Sequence, residues 1–146
     1  MKISTRARYG VRLMVELAAR NGQGPVYLKD IARAEEISEK YLSLIIMPLR
    51  SAGLVRSSRG ARGGYSLARD PSRITLREIM TVLEGDTCLV DCVKNPSVCR
   101  RVATCVSRDL WSLLNGKISE VLNATTLDTL LDMRREKVER SAMQNI

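Results

Sequence analysis

Residues 59–64 read Arg-Gly-Ala-Arg-Gly-Gly, with three glycines in six positions. No helix or strand interior tolerates that density of glycine, because each one adds backbone freedom that a regular element would have to freeze out. The chain must turn there. The flanking segments, Leu54–Ser58 and Tyr65–Arg69, are short and alternate in character, which predicts two strands paired across the turn. Gly53 ends whatever precedes the hairpin, and Asp70-Pro71-Ser72 closes it. The outcome is a small β-hairpin with arginines at its tip.

Upstream of the hairpin the pattern is helical. From Thr5 to about Arg20, Tyr9, Leu13, Met14 and Leu17 recur at intervals of three or four, with Ser4 or Thr5 as N-cap. Asn21-Gly22-Gln23-Gly24-Pro25 stops that helix, and Val26-Tyr27 has room for one short strand. A second helix over Leu28–Glu35 carries Leu28, Ile31 and Ala32 on one face. After a break near Ile37, Ser38 caps a third helix to about Ala52, with Tyr41, Leu42, Ile45, Ile46 and Leu49 as its buried stripe. Pro48 conflicts with that helix, since it removes a backbone donor and should kink or end the last turn. Two short helices, a tight turn and a hairpin form a winged helix-turn-helix.

Downstream, Thr75 caps a fourth helix over Leu76–Leu83, with Glu78 as its capping-box partner. Residues 85 to about 99 hold glycine, two aspartates and Asn95-Pro96, the composition of a loop. A long helix then runs from about Val102 to Leu122, and a last one from Leu127 to about Arg140. The apolar face of the long helix is wider than one winged domain requires, so it is expected to build a homodimer. The expected fold is mainly α with a small β-hairpin wing, a winged helix-turn-helix plus a long dimerisation helix. Its divisions are 1–84 for DNA binding, 85–104 for the cysteine-rich loop and 105–146 for the last two helices.

Charge points to the partner. Residues 1–75 hold 14 Lys/Arg against 6 Asp/Glu, whereas residues 76–146 hold 10 of each, so the whole net charge of +8 lies in the first half. That asymmetry suits a polyanion-binding module joined to a neutral one. Ser38, Glu39, Lys40 and Ser43 form the polar leading edge of the third helix, where base edges would be read. Arg59 and Arg62 at the hairpin tip suit a narrow groove, and Lys2, Arg6, Arg8 and Arg12 suit phosphates. The expected partner is double-stranded DNA. No apolar run nears the roughly 20 residues that span a bilayer. The start also lacks a signal peptide's apolar core, so the expected location is cytoplasmic.

Histidine is absent, which removes the usual general base and the usual metal ligand together. With no Cys pair spaced by two residues either, an enzyme is not expected. Yet all four cysteines, Cys88, Cys92, Cys99 and Cys105, fall within 18 positions. Structural disulfides rarely persist in the cytoplasm, so the cluster needs another role. Thiolates gathered this way suit a soft metal or an iron–sulfur cluster, and Arg100, Arg101 and Arg108 would favour the thiolate form. Thiol redox chemistry without metal is the alternative, and zinc sites more often show closely spaced pairs.

Four segments together resemble the IscR/NsrR-like winged-helix regulators over residues 1 to about 133. They are Met1-Lys2-Ile3-Ser4-Thr5-Arg6-Ala7-Arg8-Tyr9-Gly10, Ile37-Ser38-Glu39-Lys40-Tyr41-Leu42, Leu49-Arg50-Ser51-Ala52-Gly53-Leu54-Val55 and Arg59-Gly60-Ala61-Arg62-Gly63-Gly64-Tyr65. The resemblance implies that the third helix and the wing contact DNA, which adds Tyr41 and Gly63 to the candidates. It also implies that the long helix crosses over to form a dimer. Ser43 stands where some members place a base-reading glutamate. Cys92, Cys99 and Cys105 resemble the family's triad for an iron–sulfur cluster, of the [2Fe-2S] type. The family's fourth ligand departs from the pattern, since Arg108 occupies the histidine position and Arg8 the N-terminal acidic one. Cys88 is the preferred fourth ligand, with Asp91 or a small-molecule thiol behind it. A metal-free, thiol-based redox or sulfur-responsive repressor is the second reading.

Overall fold

Ser4 begins the first helix by accepting the Ala7 amide on its Oγ at 3.0 Å. In the computed structural model, which describes residues 2–146, this helix, α1, spans Thr5–Ala19. Helices α2 (Leu28–Glu35) and α3 (Glu39–Ser51) follow, then strands β1 (Val55–Ser58) and β2 (Gly64–Leu67). Helix α4 covers Leu76–Glu84, and Thr75 and Glu78 form the expected capping box. Next come a single turn, α5 (Asp91–Lys94), and two long helices, α6 (Val106–Ala124) and α7 (Leu127–Gln144). Met1 of the opening motif lies outside the described residues.

The apolar stripes meet as their spacing requires. Leu13, Met14 and Leu17 of α1 pack with Ile31 of α2, Leu42, Ile45, Ile46 and Leu49 of α3, and Ile79, Met80 and Leu83 of α4. Gly10 permits the close approach of α1 to α4, because a Cβ there would lie 2.0 Å from Leu83 Cδ1. Pro48 stays inside α3 without ending it. Buried Leu49 beyond it holds the last turn against the core, while Leu44, whose carbonyl loses its donor, has its side chain in water.

Between α2 and α3 the chain reverses at Glu36, which takes a left-handed conformation at φ 53°. The Ile37 amide then bonds the Ala32 carbonyl at 3.0 Å, and the buried Ile37 side chain locks the turn. The strands pair antiparallel in the register Val55↔Leu67 to Ser58↔Gly64. Val26 adds one bridge to Tyr65, with both backbone bonds at 2.8 Å, so the expected short strand is a single paired residue.

The second half differs from expectation in two places. The 85–104 stretch is not a plain loop: it holds α5 and two 3-10 turns, and α6 starts at Val106 because the second turn (Val102–Thr104) takes its first residues. Residues 105–146 also do not form one unit. Helix α7 returns to the N-terminal core, where Leu127 and Leu131 are buried, while α6 has no buried residue. The return is fixed by backbone bonds from Leu76 to the Thr125 carbonyl (2.8 Å) and from Leu127 to the Ile74 carbonyl (3.0 Å). An ion pair completes it. Glu16 of α1, only 4% exposed, meets Arg20 at 2.7 Å and Arg134 of α7 at 2.8 Å.

Candidate DNA interface and cysteine segment

The leading edge of α3 is exposed as expected at Ser38, Glu39, Lys40 and Ser43. Two of these side chains also serve the helix itself. Ser38 Oγ accepts the Tyr41 amide at 3.4 Å, and Ser43 Oγ donates to the Lys40 carbonyl at 2.6 Å. Tyr41 is half-buried, its ring edge-on to Tyr9 with centroids 5.8 Å apart. It therefore joins α3 to α1 as well as lying at the start of the reading helix.

The wing follows from glycine placement. Gly60 adopts φ 101°, a value that disfavours any side chain, and Gly63 donates its amide to the Gly60 carbonyl at 2.9 Å. Gly63 is buried, and a Cβ there would lie 2.6 Å from the Ser58 carbonyl oxygen. The Gly63 amide is thus already bonded within the turn, and its contribution to the tip is backbone shape. Gly64, at φ 134°, lets β2 lie against Val26, whose carbonyl oxygen would be 2.5 Å from a Cβ. Arg59 and Arg62 stand exposed on either side of Ala61.

Lys2, Arg6, Arg8, Lys40, Arg59 and Arg62 are all exposed, and among the described residues none forms an ion pair. Arg12 is different. Its Nε holds Glu35 at 2.9 Å and its guanidinium lies 5.4 Å from the Tyr9 ring centre, so it belongs to the protein's own packing. The acids of the first half are largely engaged. Glu16 and Glu35 are paired with arginines, and Asp70 accepts the Ser72 amide at 2.9 Å. Among the described residues Glu36 and Glu39 stay exposed and outside any ion pair, so the free charge of this half is predominantly, not wholly, cationic.

Cys88, Cys92, Cys99 and Cys105 are all unpaired and half-buried. Cys88 follows Asp86, which accepts its amide at 2.9 Å and pairs with Lys94. The Lys94 contact and the Cys88 amide hold the Asp86 carboxyl below its ordinary value. Cys92 lies in α5, Cys99 follows the Pro96–Val98 turn, and Cys105 is the N-cap of α6. Arg108 Nε donates to the Cys92 carbonyl at 3.0 Å, and Asn115 Oδ1 accepts the Leu89 amide at 3.2 Å, so α6 braces the segment. The structure does not bring the proposed ligands together. Among the described residues no three Cys, Asp or Glu side chains form a group able to hold a metal ion. Cys88 lies in the loop before α5, Cys92 within α5, and Cys99 and Cys105 after successive 3-10 turns, so the four thiols are spread along the whole segment.

Sequence reasoning missed the Glu16–Arg134 link and the contact of Tyr27 with the wing, whose hydroxyl donates to the Ala61 carbonyl. Neither leaves a local signal, since the partners are 118 and 34 residues apart. Among the described residues, no helix is long and apolar enough to cross a membrane.

A profile of the Rrf2 family, described as an iron-dependent transcriptional regulator, matches residues 3–133. The HTH-type transcriptional regulator CymR of Bacillus subtilis (strain 168) is 44% identical over 130 residues, covering 89% of each chain. A solved structure described as CymR (YrzC), the global cysteine regulator of B. subtilis, superposes with a TM-score of 0.80 at 42% identity, covering 91% of this chain and 98% of that one. The IscR structure from T. potens superposes at 0.77 with 40% identity, covering 94% and 90%.

Proposed function

The chain belongs to the Rrf2 family of transcriptional regulators, and from that membership we infer that it works as a homodimer on double-stranded DNA in the cytoplasm. The observation that carries the reading is the set of exposed, unpaired cations on the wing and near the start of α3. Lys40, with Ser38, Glu39 and Ser43, enters the major groove, and Arg59 and Arg62 follow the adjacent minor groove. Lys2, Arg6 and Arg8 hold phosphates and set the register without reading sequence. Tyr41 supports α3 from behind. The partner copy covers α6, on which Val106, Leu110, Leu113, Leu114 and Val121 are exposed.

The test is a salt series with a duplex selected from a randomised pool. Each phosphate contact releases counterions, so affinity falls steeply as salt rises. Arg59→Ala and Arg62→Ala each weaken binding by about 1–3 kcal/mol and flatten the salt slope by about one. Binding that ignores salt would remove the electrostatic reading.

The cysteine segment is the sensor in this reading, and thiol chemistry without metal is its first form. The likeness to a protein described as a global cysteine regulator supports it, and the described residues hold no ready-made group of three Cys, Asp or Glu side chains for a metal ion. A bound iron–sulfur cluster is the second form. The family's description as iron-dependent favours it. Iron and acid-labile sulfide measured on protein kept from oxygen separate the two. Stoichiometric iron and sulfide lost in Cys92→Ala would establish the cluster, and their absence from the wild type would establish the thiol form.

A further inference from the structure

We propose that Tyr27 is a positioning residue for DNA recognition: its hydroxyl clamps the wing tip to the helix-turn-helix, and so sets where Arg59 and Arg62 stand relative to α3. The proposal rests on the DNA-binding reading above.

Three observations converge on it. Tyr27 is the N-cap of α2, the first helix of the helix-turn-helix, yet its side chain makes no cap bond. That side chain instead reaches the hairpin and donates its hydroxyl to the carbonyl of Ala61, which lies between the two arginines and next to Arg62. Lys29 Nζ lies over the Tyr27 ring, 5.2 Å from its centre, and adds a cation–π contact to it. Next to it, the paired bonds between Val26 and Tyr65 fasten the body of the hairpin to the same segment. Gly64 keeps that approach close.

The tip needs such a clamp. Residues 59–62 are all exposed, the two strands have only four residues each, and the turn is rich in glycine. A two-stranded hairpin of this length is marginal without support. The Val26 bridge holds β2 at Tyr65, one pair short of the end of the ladder, and Tyr27 is the side chain that reaches past it to the tip itself. Without it, two mobile arginines would have to be ordered on binding, at a cost in side-chain and loop entropy. With it, the guanidinium groups leave a fixed platform.

Tyr27→Phe is the informative variant, because it keeps the ring, its contact with Lys29 and the charge. Two measurements decide. The first is limited trypsin digestion without DNA, following cleavage after Arg59 and Arg62 by mass. Loss of one hydrogen bond raises the open population of the tip, and cleavage accelerates by about three- to tenfold. The second is the salt dependence of DNA binding. Affinity falls about three- to tenfold, and the salt slope becomes shallower although no charge was removed, because the wing arginines no longer engage fully. A tyrosine that merely touched DNA would lower affinity without changing either the slope or the digestion rate.

Unchanged digestion in Tyr27→Phe would overturn the clamp. Faster digestion with unaltered affinity and slope would overturn its role in recognition. Failure of the DNA-binding reading would look different, since the wild type itself would then not bind DNA while the digestion experiment still reported on the clamp.

Discussion

Residues 5–83 and residues 84–126 are built on opposite plans. The first stretch holds almost the whole core, including Leu13, Met14, Leu42, Ile46 and Ile79, each fully enclosed. In the second, not one residue is buried, although it contains the 19-residue helix α6. Both stretches are helical, and both carry leucines at helical spacing. The difference lies in what those leucines meet. In the first stretch the stripes of four helices face one another, so burial drives the fold. In α6 Leu110, Leu113 and Leu114 face outward and only Leu122 reaches the core, so the helix gains its stability from bracing contacts and from whatever covers it.

The contrast can be broken at its strongest point by truncating the core. Leu42→Ala should cost about 2–5 kcal/mol, because a fully enclosed leucine leaves a cavity behind. Chemical denaturation checks this, and a loss below 1 kcal/mol would mean that the first stretch is not the structural base.

A somewhat smaller effect is expected at the buried ion pair. Burial alone would raise the Glu16 carboxyl, but hydrogen bonds from Arg134 and Arg20 outweigh it and hold the group below its ordinary value. A lowered carboxylate stabilises the fold above its unfolded value, and that contribution is lost as pH falls through the folded one. Glu16→Gln should therefore cost about 1.5–3 kcal/mol at neutral pH, with the gap to wild type closing in acid below the ordinary glutamate range. A gap that stays constant across that range would show that the pair is not what joins α7 to α1.

The smallest effect on folding belongs to α6. Leu113→Ala, at a site 61% exposed, should shift the unfolding free energy of the isolated chain by less than about 0.5 kcal/mol. The same change should weaken self-association, which sedimentation equilibrium reads directly. A large folding loss with unaltered association would place Leu113 in a core that the chain builds alone.

Most of the first stretch was legible in the sequence, because its rules are local. Intervals of three and four gave α1 to α4, Thr75 with Glu78 marked a helix start, and the Arg59–Gly64 run marked the wing. Pro48 was the one local rule overruled, by burial of the residues around it. The rest depended on neighbours distant in the chain. Gly10 has no local reason to be glycine until Leu83 packs against it, and Gly63 looks exposed until the tip folds over it. Nor does the cysteine spacing reveal how short turns distribute the four thiols. Of the candidate interface, the residues of α3 and the wing could be named from the sequence. The role of Tyr27 could not.

The tie between Thr75 and Thr126 carries one last consequence. The excursion from Gly85 to Thr125 departs from the end of α4 and is moored again beside its beginning. It is a handle riveted at both ends to one short rod. The rod is in turn fastened to the amino terminus, where the Ser4 amide donates to Glu84 at 2.6 Å. A strain introduced among the cysteines cannot dissipate by swinging one free end. Both ends of the excursion share α4, and α4 packs directly against α1, the helix that carries Arg6 and Arg8 in its first turns.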